Sequence, residues 1–170
     1  KFVIDREIAV PAKDGLRVET MAGVRTIVPT MENGRMMSAR VAMGIPNLRA
    51  ADIPVDASVT GDISPVIDLP ITAGGRSFEV SCLSVGNPHA VHFPDVDVDE
   101  FPLNELGPHI ESHALFPNRI NFEIVNVLSR TRLKARIFER GAGETLSSGT
   151  GTSAVCVASH LHGLIDDTVD

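Results

Sequence analysis

The first part of the chain alternates between apolar and polar positions, which is the pattern of β-strands that bury one face. The alternation runs over residues 16–44 and is interrupted at Ala22-Gly23 and at Glu32–Gly34. The second interruption contains Asn-Gly, a dipeptide that favours tight hairpin turns. Residues 1–10 also have a strand-like composition. We therefore predict that the chain starts with a β-rich segment folded into hairpins.

Further strands are predicted in the second half of the chain. Short runs of β-forming residues between turn signals indicate strands at residues 76–85, 90–93, 119–129 and 132–140. Residues 47–58 separate the two β-rich regions, are polar and contain a proline. We interpret that segment as a boundary between two lobes. Residues 1–48 would then be the β-rich remnant of a first lobe, and residues 49–170 would form a second lobe.

Only two segments have the spacing of helices. In residues 103–116 the leucines and the isoleucine recur at helical intervals, and Asn104 is a candidate N-terminal cap. A second helix is predicted from Gly151 to a stop at Gly163, with small and apolar residues on nearly all sides. A helix of that composition is expected to be buried. A buried helix among many strands indicates an α+β fold.

Composition and charge then narrow the class of protein. A net charge of -7 without a cluster of Lys or Arg argues against a nucleic-acid partner, and no apolar run approaches the length of a membrane span. Cys82 and Cys156 have no metal-ligand spacing, so we expect two reduced core thiols in a cytoplasmic protein. The chain begins on strand-like residues and stops within an apolar alternation, which indicates a piece of a longer protein.

The segment ERGAGETLSSGTGTSAV, residues 139–155, is the first candidate site. It puts glycines and hydroxyl side chains between a strand and a helix N-terminus, whose free N–H groups and partial positive charge favour an anion. The segment lacks the lysine of a Walker loop, the third glycine of a dinucleotide fingerprint and the flanking glycines of a nucleophile elbow. A small carboxylate ligand fits best, with Glu139 and Arg140 beside it. The structural alternative is a capped strand-to-helix turn with a surface ion pair.

A second candidate site is the turn GNPHA at residues 86–90. Asn87 and His89 would point into a cleft there, where a histidine can orient or transfer protons. The alternative is a hydrogen-bonded structural histidine. Asn121, inside a β run, is a third and weaker candidate. No metal site is predicted, because the two histidines spaced four apart on the first helix lack the zinc-protease order.

Three motifs taken together, SVGNPHAV, ELGPHIESHALFPNRIN and RIFERGAGETLSSGTGTSA, resemble the diaminopimelate epimerase family in their order and spacing. The resemblance covers nearly the whole chain. It implies two similar lobes, each with a curved, mainly antiparallel sheet wrapped around a buried central helix, and an active site between them. It also implies a cofactor-independent epimerase that interconverts LL- and meso-diaminopimelate in lysine and cell-wall precursor biosynthesis.

The same resemblance assigns roles to individual residues. His89 and Glu139 match residues near the reacting centre that orient or assist the catalytic bases. The matching substrate-binding positions are Asn87, Asn121, Glu139 and Arg140, with the backbone cradle for the substrate carboxylate at Gly149 and Thr150.

Position 148 departs from the family pattern. The family uses two cysteines, one on each face of the α-carbon. One belongs to a part of the first lobe that this chain does not include, and the other falls at Ser148. Cys156 lies inside the helix and cannot substitute. A serine hydroxyl is a far weaker acid than a thiol, whose pKa is about 8.5, so Ser148 is expected to be a poor catalytic base.

Several explanations of Ser148 stay open at this point. The first is that Ser148 is an engineered Cys→Ser change. The second is that it is a natural variant that still epimerises with help from His89 or Glu139. The third is that the protein uses one-base chemistry, such as elimination of water. A racemase of another amino acid and a non-catalytic amino-acid-binding protein are further alternatives.

The expected partner is a small-molecule amino acid, without nucleic acid, membrane, metal or cofactor, and a homodimer is a candidate assembly. We do not expect these 170 residues alone to be active, because half of the cleft is missing.

Overall fold

A computed structural model describes residues 1–170, which divide into two compact units, Lys1–Gly44 and Ile45–Asp170. The polar segment that the sequence suggested as a boundary belongs to the second unit. Asn47 forms two backbone hydrogen bonds with Ser84, its N–H to the Ser84 carbonyl at 2.8 Å and its carbonyl to the Ser84 N–H at 2.9 Å.

The first unit contains a short helix α1 (Phe2–Asp5) and an antiparallel sheet of β1 (Leu16–Thr20), β2 (Gly23–Glu32) and β3 (Arg35–Val41). Both predicted turns are confirmed. Asn33 and Gly34 have φ angles of 48° and 77°, as a hairpin turn with two left-handed residues requires.

The predicted strand at the start of the chain is wrong, because residues 2–5 are helical. The N–H of Asp5 donates to the Lys1 carbonyl at 2.9 Å. The side chains of the same two residues form an ion pair at 2.9 Å, and a pair at this i, i+4 spacing supports a helical turn.

The second unit is built on a sheet of six strands whose spatial order follows the chain. Neighbouring strands are antiparallel except β6 and β7, which are parallel. The α+β class and the mainly antiparallel sheet are therefore confirmed. The strands are β4 (Val66–Ala73), β5 (Arg76–Ser84), β6 (Pro88–His92), β7 (Asn121–Ser129), β8 (Arg132–Glu139) and β9 (Gly143–Thr145).

Two of these strands, β4 and β9, have no clear signal in the sequence. Strand β4 contains Pro70, and Asp68 within it has a positive φ of 50° at an irregularity of the register. These features break the alternation, and they are tolerated because β4 is an edge strand. Strand β9, at the other edge, has only three residues.

The helices of the second unit are α2 (Ala57–Thr60), α3 (Leu103–Glu111) and α4 (Gly149–Leu161). Helix α3 ends five residues earlier than Phe116, the end that the sequence predicts; the Ser112 hydroxyl bonds the Pro108 carbonyl at 2.7 Å at that point. Asn104 is not its cap, because its side chain donates instead to Glu144 Oε2 at 2.6 Å.

The two faces of the six-stranded sheet carry separate cores. Helix α3 packs on one face, where Phe122, Ile124 and Phe138 are buried. Helix α4 packs on the other through Ala154, Val155 and Ala158, against Leu83, Val91 and Val125. The opposite side of α4 carries Thr152 and His160, which are exposed.

Gly107 is required where α3 meets the sheet, because a Cβ atom there would lie 2.6 Å from the Phe138 ring. Gly→Ala in a helix normally stabilises by about 0.5–1 kcal/mol. Here we expect Gly107→Ala to lower the free energy of unfolding by about 1–3 kcal/mol, as overpacking does. Urea denaturation measures the change. Gly149→Ala is the matched control, because its added Cβ would have no atom within 4 Å apart from the adjacent residues and the backbone of its own helix. Equal stability of the two variants would contradict the prediction.

Candidate active site

Strands β6 and β7 carry polar side chains on the face that packs against α4. The parallel register pairs His89 with Asn121. Because side chains alternate between the two faces of a strand, Asn121 and Glu123 share a face with Val125, which packs against α4. The helix approaches closely there, since a Cβ atom on Gly151 would lie 3.2 Å from Glu123 Oε1. The sheet therefore gathers these polar groups beside the N-terminal turn of α4.

His89 is fully buried, and both of its ring nitrogens have protein partners. Nδ1 lies 2.6 Å from Oε1 of Glu123, which is also fully buried, and Nε2 lies 3.0 Å from Oδ1 of Asn87. Burial raises the pKa of Glu123; the His89 ring opposes that rise, and the Glu139 carboxylate adds to it. His89 thus does not open directly onto a cleft, and it reaches the half-buried Asn87 through a hydrogen bond.

Asn87 connects this buried pair to the start of α4. Its Nδ2 donates to Thr150 Oγ1 at 3.3 Å, and Thr150 Oγ1 lies 3.4 Å from Ser148 Oγ. Five side chains from three separate segments of the chain thus form one hydrogen-bonded series. In order of contact they are Glu123, His89, Asn87, Thr150 and Ser148, of which Asn87 and Thr150 are half-buried and the other three are buried.

Ser148 is the N-terminal cap of α4. Its hydroxyl accepts the N–H of Gly151 at 3.2 Å, and its carbonyl accepts the N–H of Thr152 at 2.9 Å. The sequence predicts a helix start at Gly151, but the helix begins two residues earlier, at Gly149. Gly163 follows its end with a φ of 68°.

The N–H groups of Gly149 and Thr150 have no acceptor within the protein. They lie at the positive end of the helix dipole, which favours a carboxylate.

Asn121 lies directly across from His89 on β7, and Glu139 ends the neighbouring strand β8, followed by Arg140. The buried Asn121 accepts the backbone N–H of Arg140 through Oδ1 at 2.9 Å. The Arg140 guanidinium donates to the Asn118 carbonyl at 2.7 Å and makes no ion pair with Glu139. The surface ion pair considered as the structural alternative is therefore absent. The Glu139 carboxylate stays unpaired and acts on Glu123 only through its charge.

Two residues of this region have no counterpart among the sequence-based candidates. Glu123 is one; its signal is a charged residue between apolar neighbours in a mainly apolar β run. Glu111 is the other. Its Oε1 accepts the N–H of Gly141 at 3.0 Å and a hydrogen bond from Arg119 at 3.1 Å. It therefore supports the turn that follows Arg140.

The two cysteines stand apart from these groups. Cys82 is buried, and Cys156 is half-buried on α4, two turns beyond Ser148. Burial raises the pKa of both thiols, and for Cys82 the charge of Glu123 adds to the rise. Neither thiol has the lowered pKa of a reactive cysteine.

No group of three or more His, Cys, Asp or Glu side chains in the structure could hold a metal ion. None of the helices combines the length and apolar character needed to span a bilayer.

Sequence comparison finds relatives with a shared description. A family model described as diaminopimelate epimerase matches residues 81–170. The diaminopimelate epimerase of Acetivibrio thermocellus is 46% identical over 164 residues, which are 96% of this chain and 56% of the relative. The diaminopimelate epimerase of Methanococcus maripaludis is 42% identical over 165 residues, or 97% of this chain and 57% of the relative. The chain thus spans little more than half the length of these relatives.

Structure comparison finds solved structures with a fold similar to that of this chain. A probable proline racemase from Agrobacterium radiobacter, with bound carbonate, aligns over 95% of this chain and 49% of its own, with a TM-score of 0.64. A hydroxyproline epimerase from Agrobacterium vitis, with bound trans-4-hydroxy-L-proline, aligns over 97% and 49% with a TM-score of 0.61. Both are 14% identical to this chain, so these matches concern the fold alone.

Proposed function

The chain belongs to the diaminopimelate epimerase family, and from that membership we propose that the complete protein is a cofactor-independent isomerase that interconverts LL- and meso-diaminopimelate. The reaction removes the α-hydrogen as a proton on one face and returns a proton on the other. It needs no redox partner, since the product is a stereoisomer of the substrate.

One observation carries the proposal. The free N–H groups of Gly149 and Thr150 lie at the start of α4, next to Ser148 and to the series that leads to His89. We assign the substrate carboxylate to these N–H groups, which places the α-carbon near position 148. A carboxylate held at a positive helix end also favours loss of the α-proton, because the negative charge that develops beside it is stabilised there.

The other proposed substrate contacts follow from the geometry of the same face. Asn87 has its side chain fixed between His89 and Thr150, so we propose that it limits how the substrate can lie against α4. Glu139 has an unpaired carboxylate that can take the substrate ammonium group, because opposite charges attract. Asn121 fixes the backbone at Arg140, and we propose that the Arg140 guanidinium binds a carboxylate of the diacid.

Ser148 favours a second candidate function. With a weak base on this face, the protein would carry out one-base chemistry on a related amino acid, such as elimination of water from a hydroxy amino acid, or would bind an amino acid without turnover.

We also propose that the protein works in the cytoplasm, a location supported by its two unpaired cysteines.

The test is incubation of the complete protein with LL-diaminopimelate in D₂O, with deuterium at the α-carbon followed by mass spectrometry. Formation of deuterated meso product supports the epimerase. Exchange without inversion would favour one-base chemistry. Binding of the diacid without any exchange, for the natural protein and for Ser148→Cys alike, would overturn the proposed activity.

A further inference from the structure

The buried carboxyl of Glu123 has no role in packing that explains its presence. Its side chain is fully buried between the sheet and α4, and only one of its oxygens has a partner. Oε2 is buried without any hydrogen bond. Burying a carboxyl in this way costs free energy. An unsatisfied buried polar atom therefore calls for an explanation beyond packing.

The hydrogen bonds around His89 fix the number of protons in the pair. With the Asn87 amide in its observed orientation, Oδ1 can only accept, so Nε2 of His89 must carry a hydrogen. The short contact between Nδ1 and Glu123 Oε1 requires a second proton. That proton lies either on the nitrogen or on the oxygen, and in both cases the pair as a whole is uncharged. Glu123 therefore lets His89 donate through Nε2 without leaving a net charge in the core.

Few other titratable groups lie close enough to Glu123 to change the number of protons on the His89–Glu123 pair. His89 faces it from β6, Glu139 acts on it from β8 and Cys82 lies near it on β5. Helix α4 contributes no titratable group there, because the residue that approaches Glu123 is Gly151. A side chain at position 151 would occupy space beside Oε1, so the glycine allows the helix N-terminus to come this close.

The effect of this pair reaches the site through fixed side chains rather than through a proton wire. Asn87 receives a hydrogen from His89 at Oδ1 and donates from Nδ2 to Thr150. An amide with these two bonds is held in one orientation, but it does not readily pass a proton on. Thr150 in turn contacts Ser148 Oγ.

We propose that Glu123 is a positioning residue, which holds His89 as a donor and thereby orders Asn87, Thr150 and the side chain at position 148. The proposal rests on the proposed function above for the meaning of position 148. It concerns the uncharged His89–Glu123 pair, whose geometry is independent of which amino acid binds.

Glu123→Gln in the complete protein tests the proposal. The amide has almost the same shape, but it can make only an ordinary neutral hydrogen bond to Nδ1, which is weaker than the bond to the carboxyl group and holds the ring less firmly. We expect kcat for diaminopimelate epimerisation to fall about 10- to 100-fold, the size of loss that follows when a metal-binding histidine loses its hydrogen-bond partner, with little change in KM. Glu105→Gln, an exposed Glu on α3, is the matched control and should leave kcat unchanged.

A second readout does not depend on turnover. The proton shared by Nδ1 and Oε1 should give a far-downfield resonance in the proton NMR spectrum of the complete protein. The resonance should be absent in Glu123→Gln and present in Glu105→Gln. A merely structural role for Glu123 would lower thermal stability without a selective loss of kcat.

The outcomes separate this inference from the proposed function. If the natural protein gives no isotope exchange but the resonance is present and is lost in Glu123→Gln, the proposed function fails and the control of His89 by Glu123 is supported. If Glu123→Gln keeps both the resonance and the natural kcat, the inference is overturned. If it loses the resonance but keeps kcat, the ordering of the site by Glu123 is overturned as well.

Discussion

Replacing Ser148 with cysteine in the complete protein is expected to raise the rate of α-proton exchange at this face by about 100-fold or more. The side chain at position 148 lies at the N-terminal cap of α4, where the helix dipole stabilises a negative charge. A thiol, with an ordinary pKa of about 8.5 that this position lowers further, supplies a usable thiolate near neutral pH. A serine hydroxyl does not. A correctly placed acid or base contributes about 10²–10⁴-fold to such a step.

The same substitution should slightly weaken the helix. Ser148 accepts the N–H of Gly151 at 3.2 Å, and a sulfur accepts such a bond poorly. Loss of a serine cap costs about 1 kcal/mol. We therefore expect Ser148→Cys to be less stable and more active than the natural protein. This combination cannot come from a general tightening of the fold.

Two control variants sharpen the comparison. Ser148→Ala removes both the cap and any base, and it should give exchange no faster than the natural protein. Cys156→Ser in the Ser148→Cys background should keep the gain, because Cys156 is on α4 two turns away. An exchange rate in Ser148→Cys equal to that of the natural protein would mean that position 148 is not the base on this face. Exchange on that face would then have to be assigned to another group, such as Glu139.

The sequence predicted the central strands of the six-stranded sheet, but it did not predict the edge strand β4 or the helix at the start of the chain. Strands β5 to β8 follow clear runs of β-forming residues, and their bounds lie within two residues of the prediction. Strand β4 was not predicted because Pro70 and the left-handed Asp68 disrupt the alternation on which such a prediction depends. The first residues form a helix because a local ion pair and hydrogen bond outweigh their strand-like composition.

The candidate site shows a similar division. The motifs of the sequence drew attention to the residues at turns and at the helix start, since glycine, asparagine and serine have recognisable local functions there. Glu123 could not be identified in this way. Its significance comes from the parallel pairing of β6 with β7, which places it beside a residue 34 positions earlier in the chain. A pairing of that kind depends on tertiary structure, which local patterns do not contain.

His89→Leu should lower the free energy of unfolding by about 3–5 kcal/mol at neutral pH, the second large effect that the structure predicts. The substitution leaves Glu123 fully buried without the ring that holds its Oε1 at 2.6 Å. Removing one partner of a buried pair is strongly destabilising, because an uncompensated charge stays in the interior.

The loss in His89→Leu should depend on pH in a defined direction. Burial and the charge of Glu139 both raise the pKa of Glu123, and His89 is the group that opposes them. Without His89 the folded-state pKa rises further above that of the unfolded chain, so the folded state binds the proton more tightly. That contribution to stability is fully present below the unfolded carboxyl pKa of about 4.3. It is lost as the pH rises through the raised folded-state value. The deficit should therefore be smaller near pH 5 than near pH 8.

The double variant His89→Leu/Glu123→Leu separates the buried charge from simple packing loss. Replacing both members of a buried pair by apolar groups of similar size is often nearly neutral, so the double variant should be more stable than His89→Leu alone. Its deficit should also be nearly independent of pH, because the carboxyl that titrates has been removed. Urea denaturation of the natural chain, both single variants and the double variant gives the coupling energy directly. Because the two side chains are in contact at 2.6 Å and are both fully buried, we expect them to be coupled. Additive losses in that cycle would contradict this prediction.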